Sequence, residues 1–521
     1  MSKTLRGQWL AAILTAGVVG GVAASARAET LADAIALAYE TNPNLQAQRA
    51  TQRALDESYV QQRSGWRPTI SMQVLATDSD NRVPRAARGT AIDTNGDGIP
   101  DSIATPATSG ISQRQYGSAG VNFSQPIWTG GRTAAAVSAA ESDILAGRET
   151  LRRVEAQVMG QVIQTYVDVR RDQEALRIRN QNVVVLKRQL EESQARFDVG
   201  EITRTDVAQS QARLAAAQSQ YQSATAQLAV SRASYAAVVG QNPGQLAPEP
   251  SLAYLLPANA DDAFAVAEKY SPLLRAQQFA EQASRTRIAG ARAERMPSIS
   301  LRASYGFNGE IAPFDNGRWS RNVQATAAVT VPLFTGGLTS SRIRQQIERN
   351  NADRINIETQ RRSVLQAITQ NWNQLIAARA NIDSTAEAVR AAQIAAEGTN
   401  QEQRVGLRTT LDVLNAEQEL RNDELLAVAA VHDEYVAAAS ILSAMGRLEA
   451  KNLIPLTPQY DPRSNFRKLR ITLGWVPWEE PIAMVDKTLA VPPIPSAPGK
   501  PLEPAIGPGL PKAANPAPTG K

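Results

Sequence analysis

Four short stretches of this chain alternate apolar and polar residues with a period of two. In the first, Ile70, Met72, Val74 and Ala76 fall on one face, with Thr69, Ser71, Gln73 and Thr77 opposite. In the second, Ala119, Val121, Phe123 and Ile127 oppose Ser118, Asn122 and Ser124. In the third, Ile299, Leu301, Ala303, Tyr305 and Phe307 oppose Ser298, Ser300, Arg302 and Ser304. In the fourth, Val323, Ala325, Ala327, Val329 and Val331 oppose Gln324, Thr326 and Thr330. Neighbouring side chains on a strand point to opposite faces, so the pattern predicts strands over about 68–79, 116–128, 297–308 and 322–334. One apolar and one polar face over about 10–12 residues is the signature of an outer-membrane barrel strand. A strand of a soluble sandwich also alternates, but two strand pairs separated by long helical runs make a poor sandwich.

Outside these stretches the period changes. Arg132–Phe197 and Leu338–Arg404 are free of proline and carry apolar residues three and four apart, as in Val158, Val162, Tyr166 and Val169, or Leu365, Ile368, Trp372 and Leu375. At 1.5 Å per residue each run makes a helix about 100 Å long. Thr203–Val239 and Thr409–Met445 would be about 55 Å, and Pro43–Gly65 and Pro272–Arg295 about 35 Å. Two short runs end to end nearly match one long run, so stacked short helices could lie beside a long one. A structural coiled coil or an adhesive surface fibre would show the same helical period, but would not need the strands.

The chain repeats itself. Pro126-Ile127-Trp128-Thr129-Gly130-Gly131 returns as Pro332-Leu333-Phe334-Thr335-Gly336-Gly337, 206 residues later. Val199-Gly200 and Val405-Gly406, Asp206 and Asp412, and Gly240 and Gly446 keep the same offset. Earlier pairs, such as Pro68-Thr-Ile-Ser and Pro297-Ser-Ile-Ser, are 229 apart. The first copy therefore carries 23 extra residues between Pro68 and Pro126. Each PxxTGG stretch reads as a corner from strand to helix, where proline ends ladder pairing and the glycines turn the chain.

Four strands cannot seal themselves in lipid, because an open sheet leaves backbone groups unpaired. The barrel must close across copies. Two copies give eight strands, a size filled by its own side chains, whereas three give twelve and a lumen. A trimer is the smallest assembly that conducts.

The start of the chain is a targeting segment. Lys3 and Arg6 precede an apolar run from Trp9 to Val22, and Ala26-Arg27-Ala28 forms an A-x-A cleavage site, so the mature chain is expected to begin at Glu29. No later run of 18 apolar residues reads as a spanning helix. The chain has no cysteine, so neither disulfides nor thiol chemistry are available. A net charge of +5 is spread without a like-charge block, which gives nucleic-acid binding no support. The one histidine, His432, sits in a predicted helix with no partner motif, and no phosphate loop, paired metal ligands or nucleophile elbow appears. No enzyme and no cofactor is expected. The 23-residue insertion contains Asp93-Thr94-Asn95-Gly96-Asp97-Gly98-Ile99-Pro100-Asp101. Oxygens of Asp93, Asn95 and Asp97 at alternate positions, with Asp101 four residues on, resemble the first half of a calcium loop, but Ala104 stands where the closing glutamate belongs. A solvated surface loop is the default there.

These residues resemble the TolC family of outer-membrane channel-tunnels. The resemblance rests on LADAIALAYETNPNL from Leu31, both PxxTGG corners, the duplicated helical hairpins, and the turns RFDVGEITRTDV and EQRVGLRTTLDVLNAEQEL, and it covers roughly Leu31 to Leu448. It implies an α+β membrane protein: a homotrimer whose twelve-stranded barrel sits in the outer-membrane lipid and continues into a periplasmic helical barrel. It also implies a passive exit duct for type I secretion or multidrug efflux, partnered by a periplasmic adaptor and an inner-membrane ABC or RND-type pump. The adaptor would meet the turns Val199-Gly200-Glu201 and Val405-Gly406-Leu407. The gate would involve Asp206 and Asp412, with Arg408 near Thr205. Two positions depart from the family pattern: Gln403 replaces a tyrosine, and Asn415 replaces an acid three beyond Asp412.

The chain is thus expected to divide into a signal (1–28), a first repeat (29–240, hairpin 132–240), a connector (241–261), a second repeat (262–448, hairpin 338–446), a C-terminal segment (449–490) and a disordered tail (491–521). Ten of the 31 tail residues are proline. The connector and the C-terminal segment, which holds Trp475 and Trp478, are expected to wrap the waist of the helical barrel.

Overall fold

The computed structural model describes residues 28–83, 91–103, 110–311, 318–469, 471–472 and 474–492. Ala104, all of the signal but its last residue, and all but the start of the proline-rich tail lie outside them. In chain order the elements are helices α1 (Leu31–Thr41) and α2 (Pro43–Arg63), strand β1 (Thr69–Val83), the short pair β2 (Ala91–Ile92) and β3 (Ser102–Ile103), and β4 (Gly110–Trp128). Helices α3 (Arg132–Asp198), α4 (Arg204–Val239), α5 (Ala260–Tyr270) and α6 (Pro272–Ala293) follow, then β5 (Ser298–Glu310) and β6 (Ser320–Thr330). Helices α7 (Leu338–Arg404), α8 (Thr410–Ala444), α9 (Ala450–Leu453), α10 (Arg463–Lys468) and α11 (Glu479–Thr488) complete the chain.

The chain forms two compact units. One holds the residues up to Thr41, Gln161–Tyr254 and Ala378–Val436; the other holds Asn42–Gly160, Leu255–Ala377 and the residues from Ala437 on.

The second unit contains one antiparallel sheet in the order β1-β4-β5-β6. Its register keeps the apolar positions together: Met72 lies opposite Val121, Val121 opposite Tyr305, and Tyr305 opposite Val323. This face is bare, with Ile70 and Met72 each 72% exposed and Val323 65%. Each such side chain would gain about 1.5–3 kcal/mol on full burial, so the sheet presents a face that water does not favour. Strand β6 stops at Thr330, four residues short of the expected end, whereas β4 runs on to Trp128. The reason is pairing: β4 continues because β5 accompanies it past a bulge between Pro126 and Trp128, and among the described residues β6 has no strand on its outer side.

Polar contacts bind the C-terminal segment into the same unit. Glu479, fully buried, accepts from Arg63 and from Arg67 Nε (2.9 Å). Burial alone would lower the Arg63 pKa, but Glu479 raises it overall. Trp478 Nε1 donates to Gln125 Oε1 (3.2 Å), and Trp66, Val137 and Ala483 form a small apolar cluster.

In the first unit Glu29, the expected first residue after cleavage, is held as a strand partner of Leu246 in the connector. Glu29 N donates to Gln245 O (2.8 Å), and Glu29 Oε1 accepts from Tyr235 Oη (2.6 Å) and Gln241 Nε2 (2.9 Å). Burial, helped by the Glu29 carboxylate, pushes the Tyr235 phenol far up, and burial lifts Tyr166 to about 12, so both remain hydrogen-bond donors. Helix α8 is apolar and long enough to cross a membrane by composition. Some of its apolar positions form core: Leu414 packs with Leu186 of α3 and Ala217 of α4, whereas Leu426 and Val431 stay exposed.

Candidate functional site

The corners come first because the repeat singles them out. Gly130 and Gly131 have φ of 72° and 86°, and Gly336 and Gly337 have 59° and 82°. Two successive left-handed residues cost any other L-residue about 1–2 kcal/mol each. Both corners carry the same threonine pair, Thr129 to Thr133 and Thr335 to Thr339, with hydroxyls 3.1 Å apart.

Their surroundings differ. At the first corner, the carboxylate of Asp486 on α11 is fully buried. It accepts from Thr129 N (2.9 Å), Thr129 Oγ1 (3.0 Å), Gly131 N (3.1 Å), Ala134 N (3.2 Å) and Trp66 Nε1 (3.1 Å). These are the orphan donors of the start of α3, where the helix dipole also favours an anion. A Cβ placed on Gly130 would lie 2.6 Å from Met296 Cβ, and one on Gly131 2.6 Å from Ala490 Cβ. At the second corner Leu333 and Phe334 are 92% and 89% exposed, and nothing lies within 4 Å of a Cβ placed on Gly336 or Gly337. The sequence marked the corners, but not Asp486, which lies some 350 residues from the corner it fills and outside the repeat.

The two hairpin turns, both in the first unit, share one geometry. Gly200 N bonds Phe197 O (2.9 Å) and Glu201 N bonds Arg196 O (2.9 Å); Gly406 N bonds Gln403 O (3.0 Å) and Leu407 N bonds Glu402 O (2.9 Å). This double bond around a left-handed glycine ends helices α3 and α7. The turns leave Val199, Val405 and Leu407 more than 70% exposed.

The expected gate residues have partners within the chain. Asp206 accepts from Thr203 N (2.9 Å) and Oγ1 (2.8 Å), and Asp412 from Thr409 N (3.0 Å) and Oγ1 (2.8 Å). Each acid closes a capping box that starts the next helix, a T-x-x-D signal that was present in the sequence. The Thr409 bonds hold the Asp412 pKa below the usual carboxylate range. Within the chain Arg408 Nε donates to Glu402 Oε2 (2.9 Å), because the turn brings that carboxylate within reach. Gln403 is buried, with Nε2 3.4 Å from Thr410 Oγ1, and Asn415 Oδ1 accepts from Arg213 Nη2 (3.0 Å), tying α8 to α4. Thr205 is exposed.

In the inserted loop, Asp93 accepts from Gly96 N and Gly98 N (both 2.7 Å), which keeps its pKa low; Asn95 Oδ1 accepts from Asp97 N (3.1 Å), and Asp101 from Thr94 N (3.0 Å). The oxygens that would ligate calcium thus shape the loop itself. Among the described residues no group of three or more His, Cys, Asp or Glu is placed to hold a metal ion.

His432 lies in helix α8, as expected, and has polar partners that no local motif announced. Its Nε2 lies 2.8 Å from Asp168 Oδ1 and its Nδ1 2.9 Å from Asp433 Oδ1, beside Arg171 and Gln164. Burial lowers its pKa, but the two carboxylates outweigh this and raise it overall. Asp168 is 264 residues away in sequence, and no local pattern could have paired them.

The family model for outer membrane efflux proteins matches residues 34–241 and 265–447. The chain is 34% identical over 460 residues to the outer membrane efflux protein BepC of Brucella suis biovar 1, covering 88% of this chain and 94% of that protein. It is 24% identical over 448 residues to the outer membrane protein TolC of Vibrio cholerae, covering 85% and 96%. The crystal structure of the outer membrane protein VceC from Vibrio cholerae superposes with a TM-score of 0.64 at 21% identity, covering 80% of this chain and 96% of that one. The chain therefore belongs to the outer membrane efflux protein family. It is an outer-membrane exit duct of a tripartite export system, and its fold is the α+β channel-tunnel that two internal repeats build. The family works as homotrimers with a periplasmic adaptor and an inner-membrane pump.

Proposed function

We propose that this duct passively conducts substrates delivered by an ABC or RND-type pump, in type I protein secretion or multidrug efflux, with its sheet in outer-membrane lipid. The observation that carries this reading is the sheet: four strands, one bare apolar face and two open edges. Lipid covers such a face, and only closure across copies satisfies such edges. The adaptor docks at Val199-Gly200-Glu201 and Val405-Gly406-Leu407, where exposed apolar side chains sit on rigid turns. Asp206 and Asp412, with Thr205, Gln403, Arg408 and Asn415 around them, form the narrow end. Three copies of an ionised carboxylate on a threefold axis attract cations. The Asp93–Asp101 loop is read as a surface loop; a shift of its NMR signals on calcium titration would make it a calcium site instead. No catalytic step belongs to this reading.

The test is planar-bilayer recording of the purified protein. A cation-selective channel whose selectivity falls in Asp412→Ala supports the reading. Unchanged conductance and selectivity in that variant removes Asp412 from the pore, and a water-soluble protein without channel activity removes the duct. Cross-linking from Leu407→Cys to the adaptor checks the docking turns.

A further inference from the structure

Helix α11 has its polarity reversed. Its carboxylates at Glu479 and Asp486 are fully buried, where Arg67 and the first corner take them up. Its apolar side chains point the other way. Met484 is 66% exposed and Leu489, just past the last turn, 56%; Val485, Trp475 and Trp478 are exposed too. Positions 478, 481, 485 and 489, with 484 beside them, recur at the three- and four-residue spacing of one helix face. A helix that docks on its own chain through acids and turns methionine, valine, leucine and tryptophan outward is built for surroundings other than water.

What those surroundings are follows from where the helix lies. Along β4, Val121, Phe123 and Gln125 follow one another with period two, so all three lie on the apolar face of the sheet. Gln125 stands opposite Leu301 of that same face. A glutamine there is tolerated because it is buried and its amide is engaged on both sides. Its Nε2 donates to Trp66 O (2.8 Å), and its Oε1 accepts from Trp478 Nε1 (3.2 Å). Trp478 therefore covers the foot of the apolar face, and α11 continues that face at the end where the helices begin.

We propose that α11 is a membrane-surface helix. It lies on the periplasm-facing phospholipid leaflet, with Met484, Val485 and Leu489 in the boundary between headgroups and acyl chains and the two tryptophans beside them. This rests on the reading that puts the sheet in outer-membrane lipid, and it extends the lipid contact to a segment outside the strands. Tryptophan suits that boundary because its ring is apolar and its N–H is polar. Lys487 is exposed on the flank beside Met484, with its Nζ 5.6 Å from the centre of the Trp66 ring, and offers a cation to a lipid phosphate. Glu480, the other exposed charge of the helix, is paired with Arg63.

The chain contains no cysteine, so a single fluorophore can be attached at Met484→Cys in the full-length protein, reconstituted into vesicles of phosphatidylethanolamine and phosphatidylglycerol. A surface helix buries its apolar face about 5–10 Å into the headgroup boundary, so a spin label carried near the headgroup should quench this fluorophore about twice as strongly as one near the acyl end. Leu489→Cys should give the same result. Met72→Cys, on the exposed sheet face, should be quenched by lipid-borne label. Asn356→Cys, exposed on α7 about 27 Å along the helix from Leu338, should be quenched by neither. No quenching at 484 or 489 while Met72→Cys is quenched overturns the surface helix and leaves the duct in its membrane. If those positions also resist an aqueous quencher, a second copy or another protein covers α11 instead. Stronger quenching from the acyl end at 484, or equal quenching at 356, overturns it too. Loss of quenching at Met72→Cys as well overturns the lipid contact of sheet and helix together. All four substituted positions are exposed, and light scattering of each labelled variant controls for folding.

Discussion

The two corners have nearly the same sequence and opposite fates. Thr129-Gly130-Gly131 is buried under Met296, Ala490 and the Asp486 carboxylate. Thr335-Gly336-Gly337 has the same left-handed glycines and threonine pair, and stands open with Phe334 almost fully exposed. The backbone shape is local, because glycine can take it without help. The burial is not local: it depends on which strand comes next in the sheet and on a segment outside the repeat. The bare corner is not a poorer version of the first. At the first corner the next strand of the sheet, β5, comes from the same chain; at the second, among the described residues, no further strand follows β6.

The largest expected effect is at the filled corner. Asp486→Ala leaves backbone donors of Thr129, Gly131 and Ala134 and the Trp66 indole unpaired in a buried site, and should destabilise by about 3 kcal/mol or more, read by urea unfolding. A glycine pair tests the contrast directly. Gly130→Ala meets both the positive φ, about 1–2 kcal/mol, and a clash with Met296 adding about 1–3 kcal/mol. Gly336→Ala should show only the first cost, because nothing lies within 4 Å of the added methyl group. Equal costs for the two variants before assembly would break the comparison. At the turns, Asp412→Ala removes a capping box and should lower the helix stability by about 1 kcal/mol, with Asp206→Ala matching it.

The smallest effect is one of pH. The His432 pKa is raised in the folded chain, so its pairing with Asp168 is fully present below the unfolded value of about 6.5 and is lost as pH rises through the folded value. Thermal stability should fall over that window in the wild type and not in His432→Gln, as followed by circular dichroism. The groups facing the ring are Asp168, Asp433, Arg171 and Gln164.

Much of the architecture was legible because it is periodic. Alternation gave the strands, spacing of three and four gave α3 and α7, and glycine marked the corners and turns, since each signal arises within a few residues of chain. The turn acids were seen but read only as gate candidates, although Thr203–Asp206 and Thr409–Asp412 also carry a local capping signature. Arg408 meets Glu402 because a helix-ending turn folds the chain back over six residues, a contact that the spacing of charges alone did not single out.

The sequence alone determined the repeat, the element types and the insufficiency of four strands, because hydrogen-bond geometry and side-chain period act over short distances. Only the tertiary structure decided that Asp486 fills the first corner and that none of the described residues fills the second, that Glu479 sits between two arginines, and that His432 meets Asp168. Those contacts join residues hundreds of positions apart. Their energies come from removing specific charges and donors from water together, and the order of residues along the chain does not record which groups will share that removal.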